Sequence, residues 1–255
     1  MKDLFRFNFR KYLALFITIH ISVLLSAQAQ NNYSVNSVGE LVKISNDYYG
    51  IDDELINGCV YQMPDYRVMG SPYLFNESWS KGIIFINGKK YSDLLLKYDI
   101  LNEVVVLNTQ INDYNRLLSV NKSQIDSFYI ENRLFVNSRV LFQNQNDQLF
   151  YEQITNQDYR LLIKYKKVFL KTYNNLSPYG RFSSLKKDVS LFHNGTLQNA
   201  NNLNSFIKAF NDKIDKKKVK TYLKQNGFNY STATSNELKE IITYCNTIIS
   251  IQNEN

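Results

Sequence analysis

The sequence predicts an α+β protein, in which a predominantly antiparallel β-sheet (a sandwich or an open, barrel-like sheet) is followed by about three C-terminal helices. Two observations lead to this order. Short apolar runs separated by turn residues fill residues 79–198, and stretches with helical periodicity follow in residues 199–252. Residues 30–78 are mostly polar and predict an irregular lead-in whose short apolar patch pairs with the sheet edge. Residues 1–29 predict a signal peptide.

The N-terminus has the three parts of a secretory signal. Basic residues come first, an apolar run covers residues 12–25, and Ser26-Ala27-Gln28-Ala29 offers a small-residue cleavage site. The apolar run is shorter than the ~20 residues that a membrane-spanning helix needs. No basic stop-transfer cluster follows it, so we expect cleavage near Gln30 and no transmembrane span in the mature chain. The predicted localisation is periplasmic or extracellular.

The formal net charge of +7 is unevenly distributed. Residues 160–224 hold 15 Lys or Arg against three Asp. In an exported protein such a region fits an anionic partner such as lipid phosphate or acidic glycan. The interpretation that we favour is a solvated face that keeps the protein soluble, and the anionic partner is the alternative. Nucleic acid is not expected as a partner, because the chain has no signature of the common nucleic-acid-binding folds.

Asn-Gly pairs predict two hairpins. Asn87-Gly88 follows the apolar run of residues 83–86, and both of its residues tolerate the positive φ that a two-residue type I′ loop requires. The continuous run predicts a strand buried on both faces. The returning strand alternates, and its apolar face consists of Leu94, Leu96, Tyr98 and Ile100. A second pair, Asn194-Gly195, joins short strands near residues 189–193 and 196–198.

Further strands are predicted at residues 104–107, 125–130, 134–136, 149–154 and 159–166. Glu131-Asn132-Arg133 forms the turn between the second and third of these. The last strand is the longest, and its apolar face consists of Tyr159, Leu161, Ile163 and Tyr165. Arg160, Lys164 and Lys166 lie mostly opposite, which predicts a strand with a core on one side and water on the other.

Three helices are predicted in the C-terminal region. The first has an apolar stripe of Leu203, Phe206, Ile207 and Phe210. The second is Lys-rich, covers about residues 213–225 and ends before Gly227, a candidate C′ residue. The third begins with the capping box Thr234-Ser235-Asn236-Glu237. Its stripe consists of Leu238, Ile241, Ile242, Cys245, Ile248 and Ile249.

The stretch around the first hairpin resembles a family. Trp79-x-x-Gly82, the Asn87-Gly88 turn, Tyr91 and Leu96-x-Tyr98-Asp99 are similar to a pattern in uncharacterised secreted proteins of Bacteroidota. The resemblance covers about residues 79–250 and depends on structural residues. It implies export from a bacterial cell, and no activity or catalytic residue is transferred by it.

Residues for acid–base or metal chemistry are scarce. His193 is the only His after the predicted leader, and its place before Asn194-Gly195 predicts a solvent-facing residue at a hairpin end. No G-x-S-x-G sequence occurs. Cys59 and Cys245 could pair in an oxidising compartment, although Cys245 lies on an apolar stripe where a free thiol packs as a small hydrophobe. Two thiols and one imidazole at these spacings match no zinc site.

Two acidic clusters and a tyrosine cluster are the remaining candidates. Asp52-Asp53-Glu54, and Asp99 with Glu103, are expected to be solvated acids, although a glycan hydrolase needs only two carboxylates. The tyrosines Tyr48, Tyr49, Tyr61, Tyr66 and Tyr73 precede the sheet, in an irregular region that could hold a binding loop. Tyrosine also fills strands simply because it favours them.

The expected function is that of a non-catalytic exported binding protein or envelope-accessory protein. Glycan, lipid and protein of the cell envelope are the candidate partners. No catalytic, cofactor-binding or metal-binding residue is predicted, and no cofactor is expected. The alternative is a carboxylate-based hydrolase that acts on glycan or peptidoglycan.

Overall fold

The computed structural model describes residues 52–111, 114–142, 148–211 and 213–254. The predicted signal peptide, the lead-in up to residue 51, and Tyr48 and Tyr49 lie outside the described residues. The main sheet has eleven strands: β1 (Cys59–Val60), β2 (Ser80–Ile86), β3 (Lys89–Asp99), β4 (Val104–Ile111), β5 (Tyr114–Ser119), β6 (Ile125–Ile130), β7 (Arg133–Asn137), β8 (Phe150–Gln153), β9 (Arg160–Lys166), β12 (Lys186–His193) and β13 (Thr196–Asn199).

The remaining elements are a small ribbon and five helices. The ribbon consists of β10 (Phe169–Leu170) and β11 (Arg181–Phe182). The helices are α1 (Asp53–Ile56), α2 (Ser138–Phe142), α3 (Leu203–Lys208), α4 (Lys216–Gln225) and α5 (Ser235–Glu254).

The sheet is antiparallel throughout and open. Its strand order is β1-β5-β4-β3-β2-β6-β7-β8-β9-β12-β13, so β1 and β13 are its edges. Most neighbouring strands are also consecutive in the chain. The main exception follows β5, because the next strand in the chain, β6, pairs with β2. Three helices of the C-terminal region follow the last strand. The predicted α+β class, with its antiparallel sheet before the helices, is confirmed.

Three two-residue loops have positive φ at both central residues. The φ values are 49° and 80° in Asn87-Gly88 and 48° and 73° in Asn194-Gly195. The third loop is Glu131-Asn132, with values of 51° and 58°. A type I′ hairpin needs this geometry because it matches the twist of the strands. The two Asn-Gly hairpins are confirmed, and the third loop adopts the same geometry without a glycine.

The core lies on one face of the sheet, under the C-terminal helices. Tyr98 is at its centre and packs edge-to-face on Phe128, Phe135 and Phe150, with ring centroids 5.2–5.9 Å apart. The helices contribute buried side chains to the same cluster: Phe206, Phe210, Val219, Leu223, Leu238, Ile241, Ile242 and Cys245. Aromatic pairs of this kind stabilise a core beyond the area that they bury.

The predicted burial of two strands is partly wrong. In the apolar run of β2, Ile84 and Ile86 are fully buried, whereas Ile83 and Phe85 are half-buried on the opposite face. In β9 the supposedly wet side includes Lys164, which is 7% exposed. Periodicity assigns residues to faces, but it does not reveal what covers the second face.

The predicted start of the last helix is confirmed. Thr234 precedes α5; the amide of Glu237 donates to Thr234 Oγ1 at 3.3 Å, and the amide of Thr234 donates to the Glu237 carboxylate at 2.6 Å. This reciprocal pairing satisfies amide groups that a helix N-terminus leaves without partners. Gly227, after α4, has the positive φ (68°) expected at C′.

Candidate functional site

His193 lies at the end of β12, as its position before a hairpin predicts. Its Nδ1 is 3.3 Å from the carbonyl oxygen of Asp158, and its ring stacks on Tyr159 with centroids 3.8 Å apart. A catalytic base needs a nucleophile on one ring nitrogen and an orienting acid on the other. Neither is among the described contacts of this ring. The described contacts of His193 are thus a stack on Tyr159, the residue before β9, and an approach to a backbone carbonyl.

Both cysteines are free thiols. Cys59 is exposed on β1, whereas Cys245 is fully buried on α5. Burial raises the pKa of the Cys245 thiol to about 12, because the thiolate would have to form in an apolar environment. Cys245 is thus an inert core residue.

The expectation that Asp99 and Glu103 are solvated is wrong. Asp99 is fully buried, and it accepts hydrogen bonds from the amides of Leu101 and Asn102 and from the Tyr61 hydroxyl, the last at 2.8 Å. Glu103 accepts one from the Tyr98 hydroxyl at 2.9 Å and pairs with Lys164. Both carboxylates hold the β3–β4 connection in place.

The other acidic cluster caps a helix. Asp52 accepts a hydrogen bond from the amide of Glu54 at the start of α1 and pairs with Lys89. The hydrogen bond from Lys89 is the main reason why the pKa of Asp52 lies below its usual value. The Glu54 carboxylate accepts a hydrogen bond from the Tyr91 hydroxyl at 3.3 Å.

A buried charged network that the sequence did not reveal lies between the sheet and α5. Glu152 on β8, only 2% exposed, makes a two-point contact with Arg133 at 2.6 and 2.7 Å. Its Oε2 also accepts from the hydroxyls of Tyr165, at 2.7 Å, and Ser235, at 3.1 Å. Burial beside this carboxylate raises the pKa of Tyr165. Both oxygens of the Glu152 carboxylate accept hydrogen bonds, as a buried structural ion pair requires.

Just over half of the large apolar side chains that are exposed lie on two loops. We call the side chains of residues 61–79 and 167–185 the loop surface. Of the fifteen large apolar side chains that are exposed among the described residues, eight lie here: Met63, Tyr66, Met69, Val168, Tyr173, Leu176, Tyr179 and Leu185. Tyr66 is 93% exposed and Leu176 is 86% exposed. Concentrations of this kind mark interaction sites, whereas scattered apolar residues do not.

The two loops are joined by backbone and side-chain contacts. The amide of Met69 donates to the carbonyl of Gly180, and the amide of Phe182 donates to the carbonyl of Met69 at 2.9 Å. The Lys167 ammonium donates to the carbonyls of Ser71 and Tyr73, at 2.8 and 2.6 Å. These contacts order the backbone from which the exposed side chains project.

Local contacts fix the second loop further. The side chain of Asn174 accepts hydrogen bonds from the amides of Leu176 and Ser177, both at 2.9 Å, in an Asx-type turn. Gly180 has φ +85°, and a Cβ there would lie 2.5 Å from the Phe169 ring. The Arg67 guanidinium lies 4.1 Å from the centre of the Tyr179 ring.

Beneath the first loop the surface is supported by a cation between aromatic rings. The Lys97 ammonium lies 4.8 Å from the centre of the Tyr73 ring and 4.4 Å from that of the Trp79 ring. Burial lowers the pKa of Lys97. Tyr73 contacts Lys97 and Tyr61 donates to the buried Asp99, so both tyrosines are structural. Of the described members of the predicted tyrosine cluster, only Tyr66 projects into solvent.

Two concavities accompany these features. One of about 600 Å³ lies beside α2 and includes Phe142, Arg160 and Phe192, with Asp158 as its single carboxylate. The other, of about 450 Å³, lies beside α4 and has no carboxylate in its lining. Neither concavity offers the pair of carboxylates that a glycosidase requires.

Within the described part of the chain, no group of three His, Cys, Asp or Glu residues is arranged to hold a metal ion. No helix among the described residues combines the length and the apolar character needed to cross a membrane. A comparison with protein families, with curated proteins and with solved structures finds no match to this chain.

Proposed function

We propose that this chain is an exported, non-catalytic binding protein that holds a partner protein on its loop surface. The observation that carries the proposal is the concentration of exposed Tyr, Met and Leu side chains on two loops that are joined to each other. Aromatic residues and Met are enriched at the centres of protein interfaces. Export is supported by the N-terminal sequence pattern.

The chemistry of the loop surface favours a protein over a glycan. Sugars stack on flat aromatic rings, which three of the eight side chains provide. The other five present flexible or branched aliphatic groups: Met63, Met69, Val168, Leu176 and Leu185. Complete burial of one exposed side chain of this kind contributes about 1.5–3 kcal/mol, so several of them together offset part of the cost of association.

The charges of the second loop favour an acidic rim on the part of the partner that faces it, whereas the first loop also contains Asp65 and Glu77. Residues 167–185 contain Lys167, Lys171 and Arg181 and no acid. Lys167 is engaged with backbone carbonyls, whereas Lys171 and Arg181 are exposed and belong to none of the ion pairs found among the described residues. Opposite charges at a rim act mainly on the rate of association and on its salt dependence.

Site-specific photo-crosslinking in the native cell tests the proposal. A photoreactive amino acid at Tyr66 or Leu176 is expected to capture one protein that the same group at Leu197, on the edge strand β13, does not capture. The captured protein, once purified, should bind the wild-type chain. Leu176→Asp should weaken that binding at least tenfold, Leu197→Asp should leave it unchanged, and added salt should slow association.

Three results would contradict the proposal. Capture of a second copy of this chain would make the loop surface an oligomer interface, and capture of glycan alone would replace the partner class. Equal capture from Leu176 and Leu197 would show that the loop surface is not special. Export has its own test: N-terminal sequencing of the protein from cell fractions should give a chain that begins near Gln30.

A further inference from the structure

The structure also points to a second surface, on α4. One face of this helix packs on the rest of the protein. Val219 is fully buried, Leu223 is 6% exposed, and Tyr222 stacks on Tyr244 of α5 with ring centroids 3.9 Å apart. Its remaining surface is almost entirely lysine. Five of its ten residues are exposed lysines: Lys216, Lys217, Lys218, Lys220 and Lys224.

Three of these lysines form a row along the helix. Lys216, Lys220 and Lys224 are spaced at i, i+4 and i+8, so they are neighbours on one face. None of them belongs to an ion pair among the described residues. Like charges at i, i+4 destabilise a helix slightly. A helix face that only has to be soluble does not require its lysines to be aligned in such a row. An anionic partner would remove this repulsion.

A concavity lies directly beside the row. It has a volume of about 450 Å³, Lys220 and Lys224 stand at its edge, and its other side chains are largely apolar or hydroxylated. They are Leu203, Leu223, Phe228, Asn229, Tyr230 and Ser231. A phosphate that contacts both lysines would thus have a hollow with a mixed polar and apolar lining next to it.

We propose that α4 and this concavity dock on a bilayer that contains anionic phospholipid, with headgroup phosphates along the lysine row. Lysine is a compact point charge without the two-point geometry that arginine offers to a single phosphate, and α4 contains no arginine. Such clusters recognise the charge density of a membrane surface. The mixed lining of the hollow suits the polar glycerol region and the upper acyl region of one lipid, which a soluble polyanion lacks. This surface is separate in sequence from the loop surface, and the inference does not depend on the proposed partner protein.

Co-sedimentation of the mature protein with vesicles tests this inference. Binding is expected to vesicles of phosphatidylglycerol and phosphatidylcholine at low salt, and it should fall steeply as salt approaches 1 M, where the screening length is about 3 Å. Each lysine near an anionic surface contributes about fivefold in affinity. The variant Lys216→Gln/Lys220→Gln/Lys224→Gln should therefore bind on the order of 100-fold more weakly.

A matched control separates the row from net charge. Lys81→Gln/Lys90→Gln/Lys186→Gln removes three exposed lysines elsewhere and should bind as the wild type does. Gln and Lys have similar helix propensities, and equal far-UV circular dichroism checks that α4 is intact.

Four results would overturn the inference. These are equal binding to vesicles of phosphatidylcholine alone, equal losses in the two triple variants, an α4 variant that binds like the wild type, and binding to heparin or polyphosphate without binding to vesicles. The last result would assign the row to a soluble polyanion.

Discussion

Glu152→Gln is the substitution that tests the buried network most directly. Gln keeps the shape of the side chain and one acceptor oxygen, but it removes the charge that faces Arg133. The Arg133 side chain is 24% exposed and the Glu152 side chain is 3% exposed, so water replaces the lost partner only in part. The Tyr165 and Ser235 hydroxyls also lose a charged acceptor.

The magnitude follows from this burial. Removal of one partner from a buried pair costs about 3–5 kcal/mol, because the other charge remains uncompensated. We expect Glu152→Gln to lower the free energy of unfolding by about 3 kcal/mol. This is the lower end of the range, because part of the Arg133 side chain still reaches water. In a domain of this size that corresponds to a decrease in Tm of about 6–12 °C. Replacement of both partners, in Arg133→Met/Glu152→Leu, should cost less than the single substitution.

Urea unfolding followed by circular dichroism measures these free energies. Asp188→Asn is the matched control, because Asp188 pairs with Lys166 on the same sheet while both side chains are about half exposed. It should cost less than about 1 kcal/mol. If Glu152→Gln costs no more than Asp188→Asn, then Glu152 is solvated in solution and our reasoning about the network is wrong.

The remaining predictions concern α5 and the two thiols. Ile241→Ala empties a fully buried position and should cost about 2–5 kcal/mol, whereas Leu197→Ala, at an exposed position, should cost less than about 1 kcal/mol in the same urea titration. A thiol reagent should label Cys59 in the native protein and Cys245 only after unfolding, and rapid labelling of both would contradict the burial of Cys245. Because folding raises the pKa of Cys245 from 9.0 to about 12, its contribution to stability is complete below pH 9 and decreases as the pH rises towards 12. The slope of unfolding free energy against pH in that range should be smaller in Cys245→Ala.

Local signals in the sequence predicted the hairpins and the last helix correctly. Asn87-Gly88 and the capping box from Thr234 to Glu237 depend on backbone geometry that a few neighbouring residues determine. The same reasoning missed β5, Tyr114–Ser119, whose only strongly buried side chain is Leu118. An edge-proximal strand of this kind has little apolar alternation to detect.

The candidate site could be predicted only in part. Tyr66 belonged to the predicted tyrosine cluster, but the second loop contributes from a point about a hundred residues later in the chain. Sequence spacing does not show that Met69 and Phe182 pair through their backbones. The burial of Asp99 was likewise invisible, because its partner Tyr61 lies across the sheet and not beside it in sequence.

The two loops have an ordered backbone, and this affects how favourably they would bind the proposed partner. A loop that must become ordered on binding loses part of the interaction energy to conformational entropy, about 1–2 kcal/mol for each residue fixed. Here Lys167 already joins the second loop to the first, and Asn174 already fixes the turn that carries Leu176. Apolar side chains that project from an ordered backbone remain exposed because no neighbour can reach them, and a partner that covers them does not have to order the loops first. The exposed Leu176 is therefore held on an ordered turn, and the proposed partner would cover it without first ordering the loop.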